Sequence, residues 1–592
     1  MDELNIKMNE SLLKDDNAWL HFADPYRVIT AETLAEVLPA LREVERLTQT
    51  NGWYAAGFLS YEAAPAFDSA LQTHSSLHPE RTTGFPYLWF GLYPKPHPIA
   101  LPKPEGPREV LDWRPMTDRD SYSSAIGTIK DHIAEGRTYQ VNYTIRLQAD
   151  FSGSAWAFFL HLAQDQNSNA AYIHTDRHVI CSASPELFFR LDGNTIRCRP
   201  MKGTAKRGRT TDEDRQKSEW LKHSAKNRAE NVMIVDMIRN DLGRIAEIGS
   251  VAVPQLFETE RHPTLWQMTS TIDARTNVSV TEIFAAIFPC ASITGAPKIS
   301  TMRIISELEN SPRNMYTGSI GYLMPGRKAK FNVAIRTAVI ARKSQTAKYG
   351  VGGGIVWDST SADEYAEALL KAQVLVGEQP IFSLLETLLW TPDEDFFLRE
   401  KHIARMLDSA DYFDIPVTEE KLQSYLHQIS ERFTAPQRVR LTLDQSGQLG
   451  FETTLFQLTE STQPLKVGMA KGSIDSSNRF LFHKTTKRDV YEAARQGLEE
   501  FDDVLLYNEL GELTEFTIGN LVVDFHGQLL TPPISCGVLP GTFRARLLET
   551  GKIMERTIKR EQLGNCAKLF RVNSIRKWER VEIQEQAAEP TF

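Results

Sequence analysis

Cysteine is scarce in this chain, with five residues among 592, and no two of them form a C-x-x-C pair. Their scattered positions (Cys181, Cys198, Cys290, Cys536, Cys566) and odd number exclude a disulfide framework and a structural zinc site. No apolar run reaches the length of a membrane span. The opening stretch MDELNIKMNESLLKDDN is polar and acidic, unlike a secretory leader. Excess positive charge is missing as well. The 67 basic residues face 76 acidic ones, a net charge of −9, which speaks against nucleic acid and against a membrane surface as partners. No internal repeat or low-complexity tract is visible. With 41% hydrophobic and 24% charged residues, the chain reads as an ordinary globular protein of a reducing cytoplasm.

What is present is length enough for more than one hydrophobic core. Residues 1–96 mix a helix with short aromatic strands, and the proline-rich HPIALPKPEGPREV (97–110) reads as a surface connection. Helices and strands then alternate to about residue 376, and the pattern restarts around VGEQPIFSLLETLLW. The expected fold class is α/β (α+β), a two-part chain divided at roughly 375–380. One part is 1–376, with an N-terminal piece 1–110 and a core 120–376. The other is 377–592, with a smaller subdomain 381–470 and a larger one 471–592.

Within RCRPMKGTAKRG, Lys202 stands between a proline-led strand end and a Gly-Thr turn, beside Lys206, Arg207 and Arg209. The local pattern alone describes a solvated turn lysine. In STSADEYAEALLKAQVL, Ser361 and Glu364 fit a capping box that would start a helix. Glu364, Glu367 and Lys371 then share one face, which by itself describes a cap and a surface ion pair. Glu230 lies near the start of the helix NRAENVMIVDMIRNDLGRI. If the two helices converge, their carboxylates offer the oxygen ligands that Mg²⁺ prefers. SITGAPKISTMRIISELE places Thr294 just before a helix N-terminus, and KYGVGGGIVWDS places Gly352, Gly353 and Gly354 after the strand of Arg336. Both loops suit an anion.

Taken in order with SPELFFR, PMKGT, FPCASITGAPK, YTGSIGY and AIRT, these stretches resemble the chorismate-utilising enzymes over about 120–375. That family includes the anthranilate, isochorismate and aminodeoxychorismate synthases. The resemblance implies a mixed α/β sandwich with its active site between the sheets, chorismate as substrate, and Mg²⁺. It implies Glu230 and Glu367 as metal ligands with Glu364 close by. Tyr316, Arg336 and the backbone of Gly352, Gly353 and Gly354 would hold the substrate carboxylates, with Thr294 and Lys371 beside them. Glu186, in SPE, would be a general acid/base. Lysine at 202, where anthranilate synthases carry alanine, resembles the branch that aminates C4. A neutral amine attacks C2 as the C4 hydroxyl leaves, and ammonia then adds at C4 and expels the lysine. Gln267, in TLWQMTS, stands where the family often has a histidine, which fits a synthase that does not itself eliminate pyruvate. No G-x-C-x-G nucleophile turn is present, so ammonia is expected from solution or from a separate glutamine amidotransferase subunit.

The second part carries Lys484 in FLFHKTTKRDVYEAAR and a hairpin turn at Glu509–Glu512 that leads to Glu515. It also has a turn into a helix at Gly541, Thr542 and Phe543. Singly these describe a surface lysine, a strand-edge glutamate and a helix start. Their order resembles the fold-type IV pyridoxal-phosphate enzymes, which include aminodeoxychorismate lyase and the D-amino-acid and branched-chain aminotransferases. The resemblance implies pyridoxal 5'-phosphate carried by Lys484, with Glu515 at its ring nitrogen. Arg405 and the N–H groups of Thr542 and Phe543 would hold the phosphate, Thr387 would assist proton delivery, and this half would form a homodimer. Joined, the halves would turn chorismate and ammonia into p-aminobenzoate for folate synthesis. The alternatives are an amino-acid aminotransferase or a silent dimerisation or docking module in the second half, or an anthranilate synthase in the first.

Overall fold

The computed structural model describes residues 6–584 apart from 17, 78–83, 105, 107–108, 164–168, 373–374, 376–379 and 458–462. The chain forms two compact units, one of Met1–Ala205 with Trp220–Gln379, the other of Lys206–Glu219 with Pro380–Phe592. The boundary expected at 375–380 lies mostly outside the described residues. The piece Lys206–Glu219 is unexpected, because it lies in the sequence of the first half yet belongs to the second unit.

The first unit holds two ten-stranded sheets. One runs from Gly295–Ala296 through Gln140–Asp150, Thr346–Ile355 and Thr337–Ala341 towards the N-terminal strands Ser11–Asp15 and Ala18–Phe22. The other begins with Met201–Lys206, followed by Leu265–Arg275 and Thr195–Arg199. Their inner strands, such as Tyr54–Leu59 and Leu88–Tyr93, are buried on both faces. In Tyr54–Leu59, Ala55 and Leu59 pack into a cluster with the helices Leu34–Thr50, Ala225–Gly243 and Val280–Ile287. Ala56 and Phe58 face the opposite way, into a cluster that draws Leu13, Phe22, Ile173 and Ile180 from the first sheet. Period-two alternation thus feeds two cores, which is why the strand reads as a continuous apolar run. The helices Arg119–Ala134 and Ala155–Ala163 and the buried face of Ser361–Ala372 cover the first sheet. This is the sandwich that the resemblance implied.

Three local expectations are corrected. Lys202 lies inside a strand, Met201–Lys206, rather than at its end, and Gly203 takes up the bend with φ 104°. The helix Ser361–Ala372 is capped one residue earlier than expected. The Asp363 N–H donates to Thr360 Oγ1 at 3.2 Å, which leaves Glu364 to accept from Ser359 Oγ at 2.6 Å. Gly352–Gly354 form no loop but the end of Thr346–Ile355, paired with Thr144, Tyr143 and Asn142.

The second unit has a four-stranded sheet built on Ser383–Thr391 and Gln437–Asp444, and an eight-stranded sheet that contains Leu513–Phe516. Leu465–Met469, expected in the smaller subdomain, is a strand of the eight-stranded sheet. Lys206–Glu219 is built in closely. The Arg207–Asp214 ion pair is buried at 5% and 4% exposure, and the Tyr412 hydroxyl donates to the Gly208 carbonyl at 2.6 Å.

Candidate active sites

In the first unit the chemistry gathers around Lys202. Its side chain is half-buried, and its amine lies 3.7 Å from the Glu230 carboxylate. Burial holds the amine below its ordinary pKa. Glu230 opposes that shift, and the nearby charge of Lys371 adds to it. A side chain on Gly354 would begin 2.6 Å from the Lys202 amine and 2.1 Å from the Gln140 amide, so glycine there leaves room for both. Asn231 steadies the strand by donating to the Lys202 carbonyl at 3.2 Å while accepting from Ser270 at 2.6 Å. Gln267 donates to the Gly203 carbonyl at 2.8 Å. The residue in the histidine's place therefore ties the Lys202 strand to its neighbour.

Glu186 is buried, accepts from Ser292 Oγ at 2.7 Å and feels the charge of Lys202. Burial pushes its carboxyl up to about 7, a range that suits proton transfer near neutral pH. Arg336 is held at φ 49°, a conformation that costs a non-glycine residue about 1–3 kcal/mol. Its Nη1 is buried without a hydrogen-bond partner, and burial lowers its pKa. A desolvated guanidinium nitrogen with no partner is a place for a carboxylate. The Lys371 amine bonds the Gly352 carbonyl at 2.9 Å and Glu367 at 2.8 Å. That carbonyl points away from the paired strand, and in an antiparallel ladder the N–H of the same residue points with it. Tyr316 is buried, and its ring fills the space that a side chain on Gly350 would need. The Thr294 hydroxyl is already committed, donating to the carbonyls of Cys290 and Ala291 at 3.3 Å each.

The three glutamates expected around a metal are less tightly gathered than anticipated. Among the described residues no three acidic, histidine or cysteine side chains form a ligand group. Glu364 and Glu367 both approach Gly353, at 3.1 and 3.9 Å from its would-be side chain, while Glu230 faces Lys202. The Lys202 and Lys371 amines balance the carboxylates in this arrangement. The donor set remains one of hard oxygens. Burial, and then the like charge of Glu367, raise the Glu364 pKa, while Lys371 holds the Glu367 carboxyl down against burial.

In the second unit Lys484 is half-buried. Burial and the charge of Arg405 bring its amine down to about 8. Glu515 is buried in the same field, and burial pushes it up to about 7. Its carboxylate accepts from Tyr491 Oη at 2.8 Å, Asn520 Nδ2 at 2.9 Å and the Leu539 N–H at 3.2 Å. Arg405 is not a free phosphate clamp. Its Nε and Nη2 hold Glu386 at 2.8 and 2.6 Å, and Nη1 donates to the Pro540 carbonyl at 3.1 Å. Two of its five N–H donors are left for an anion. Burial would raise Glu386, but Arg405 and His402 outweigh it and hold the acid at about 2. His402 Nε2 lies 3.3 Å from Thr542 Oγ1, so Arg405 and the N-terminus of the helix Thr542–Glu549 meet through the Glu386–His402 pair. Phe543 begins that helix with its ring against Phe397 and Trp578. Thr387 is half-buried beside Glu386, and its carbonyl accepts from Ser574 at 3.2 Å. A half-buried low-pKa amine, a buried acid and a positive helix end fit pyridoxal 5'-phosphate.

Sequence reasoning missed Gln140, Asn231 and Ser292 in the first unit, and Tyr491, Asn520, His402 and Glu386 in the second. The signal for Gln140 was a polar residue among apolar strand neighbours. Its amide is buried with neither Oε1 nor Nε2 bonded.

Comparison with known proteins finds a family match in each part of the chain. Residues 95–377 match the chorismate binding enzyme family, and residues 383–582 match amino-transferase class IV. An aminodeoxychorismate synthase from Streptomyces griseus is 35% identical over 377 residues, covering 63% of this chain and 47% of that protein. Aminodeoxychorismate synthase component 1 of Escherichia coli K12 is 40% identical over 270 residues, covering 45% of this chain and 59% of that protein. The chain thus spans about half the length of the curated relatives it matches. Anthranilate synthase component I from Streptococcus pneumoniae TIGR4 shares the fold, with a TM-score of 0.53 at 23% identity over 64% of this chain and 95% of that one. The chain therefore joins a chorismate binding enzyme domain to an amino-transferase class IV domain.

Proposed function

We propose that this chain makes p-aminobenzoate from chorismate and ammonia, the first unit forming 4-amino-4-deoxychorismate and the second releasing pyruvate from it. The observation that carries the reading is the half-buried Lys202 amine between Glu230, Gln140 and Gly354. Arg336, Tyr316 and the outward N–H of Gly352 hold the substrate carboxylates. Lys202 in its neutral form attacks C2. The C4 hydroxyl departs as water, taking a proton from Glu186, whose pKa of about 7 lets it give and regain one. Ammonia then bonds C4, and the C2–N bond breaks to return the Lys202 amine. Mg²⁺, held by Glu230 and Glu367 with Glu364 alongside, would ease departure of the hydroxyl as a Lewis acid.

In the second unit pyridoxal phosphate supplies an electron sink for the carbon that loses its proton. Lys484, at about 8, is the base that takes this proton, and Glu515 keeps the cofactor nitrogen protonated. Thr387 helps deliver a proton to the departing enolpyruvate, and loss of pyruvate makes the ring aromatic. Ammonia comes from solution or from a glutamine amidotransferase partner. The five cysteines support this, because burial raises every one of their thiols and none is an activated nucleophile. The E. coli relative, named a component 1, supports a separate partner too.

A test of the carrying observation is mass spectrometry of the chain incubated with chorismate and Mg²⁺ without ammonia. An adduct of chorismate less water on the Lys202 peptide is expected. An unmodified peptide while product still forms on adding ammonia would contradict it. The class IV match also favours a second reading, an amino-acid aminotransferase in the second unit. Pyruvate release without any added keto acid separates the two.

A further inference from the structure

A cavity of about 220 Å³ opens in the first unit. Its lining includes Phe85, Arg146, His178, Arg313, Tyr316 and Lys348, but not Lys202, Glu230, Arg336 or Gly352–Gly354. Of the residues assigned to the substrate it contains Tyr316 alone, whose ring sits on Gly350.

The charges in this wall do not balance. Arg146 and Arg313 both bond the buried Glu309, at 2.8 and 2.7 Å. One carboxylate therefore serves two guanidinium groups. Lys348 adds a third cation and forms no ion pair with any carboxylate among the described residues. Burial and the charge of Arg146 lower its pKa, as expected of an amine that lacks a counter-ion. His178 adds no charge near neutral pH, since burial and Arg177 push it down to about 4. The remaining walls mix flat apolar surfaces with hydroxyls. Phe85 packs on the His178 ring at 4.9 Å, Arg146 lies 5.5 Å over the Tyr316 ring, and Val339 and Ala341 add aliphatic surface beside Thr337, Ser344 and Thr346.

Buried Glu62, which accepts from the Arg313 N–H at 2.9 Å, is pushed up to about 7 by burial and offsets these cations only in part. A concave site with an excess of positive charge and aromatic walls selects an anion that carries a ring. Its volume, below the about 300–1,000 Å³ typical of drug-sized ligands, limits that anion to a single ring. We propose that this cavity is a binding site for a small aromatic carboxylate, whose carboxylate pairs with Lys348 and the Arg146 edge while its ring lies between Phe85 and Tyr316.

Calorimetry on the full chain tests the proposal with benzoate as probe, and with acetate and aniline lacking ring and charge respectively. Benzoate is expected to bind one to one, and the two controls about ten-fold more weakly or not at all. Lys348→Met should weaken benzoate by about ten-fold or more and leave turnover without added ligand unchanged. Val339→Trp, which fills the cavity, should abolish binding, and Arg336→Gln should leave benzoate affinity as it is. The proposal is overturned if the unaltered chain does not bind benzoate, or if Lys348→Met and Val339→Trp bind it as tightly as the unaltered chain. It is also overturned if Arg336→Gln alone abolishes binding, which would put the anion in the substrate site.

Discussion

The Lys202 amine stands 3.7 Å from the Glu230 carboxylate, close enough to feel its charge and too far for a committed hydrogen bond. Partial burial lowers its pKa and no ion pair locks it, the state a nucleophilic amine needs.

Space at Gly354 is part of that arrangement. Gly354→Ala would place a methyl group 2.6 Å from the Lys202 amine and 2.1 Å from the Gln140 amide. Both are flexible side-chain ends, so the protein should fold with little loss of stability. Amination should nevertheless fall by about 100-fold, the penalty for a reacting group misplaced by an ångström. Steady-state assay of aminodeoxychorismate beside a urea denaturation curve measures both effects.

Glu186 predicts a pH signature. With its pKa raised to about 7, the carboxyl is protonated and able to donate below that pH and loses the proton above it. The rate of adduct formation should fall as pH rises through about 7. Glu186→Gln should lower the rate by about 10²–10⁴-fold and remove that limb from the profile.

In the second unit, Lys484 must be neutral to take a proton, so lyase turnover should rise with pH up to about 8. Arg405→Met removes one charge that keeps the amine low, and should move this limb to higher pH. The same change strands the buried Glu386 without its bidentate partner, so a stability loss of about 3–5 kcal/mol should accompany it. A pH–rate profile and a denaturation curve separate the two.

The second unit should not survive a cut at the apparent domain border. A fragment of residues 380–592 lacks Lys206–Glu219 and leaves the buried Tyr412 hydroxyl without the Gly208 carbonyl. It should be less soluble and lose cooperative unfolding. In the whole chain, Tyr412→Phe should cost about 1–3 kcal/mol in urea denaturation.

That piece marks where sequence reading ends. The mixed helix and strand content was legible because the two periodicities alternate, and Glu230 and Glu364 could be placed on helices, but the sandwich and the roles of these acids came from the resemblance of stretches such as PMKGT and GGGIVWDS. Lys206–Glu219 was not, since its partners Tyr412 and His483 lie some 200 or more positions away. The reading of Lys202 as a turn residue failed for a related reason: the strand Met201–Lys206 is fixed by its neighbour Leu265–Arg275, not by local propensity. The pairing of Arg405 with Glu386 escaped because a side-chain clamp between a strand and a helix leaves no periodic trace. Gln140 was visible as a polar residue in an apolar strand, but only its burial beside Lys202 gives it a role.

The most direct test of the account is a product assay on the purified chain with chorismate, Mg²⁺, ammonium and pyridoxal phosphate, resolved by chromatography. It predicts p-aminobenzoate with an equal amount of pyruvate from the unaltered chain. Lys484→Ala should accumulate aminodeoxychorismate, and Lys202→Ala should yield no p-aminobenzoate. Anthranilate from the unaltered chain, or p-aminobenzoate undiminished in Lys202→Ala, would contradict it.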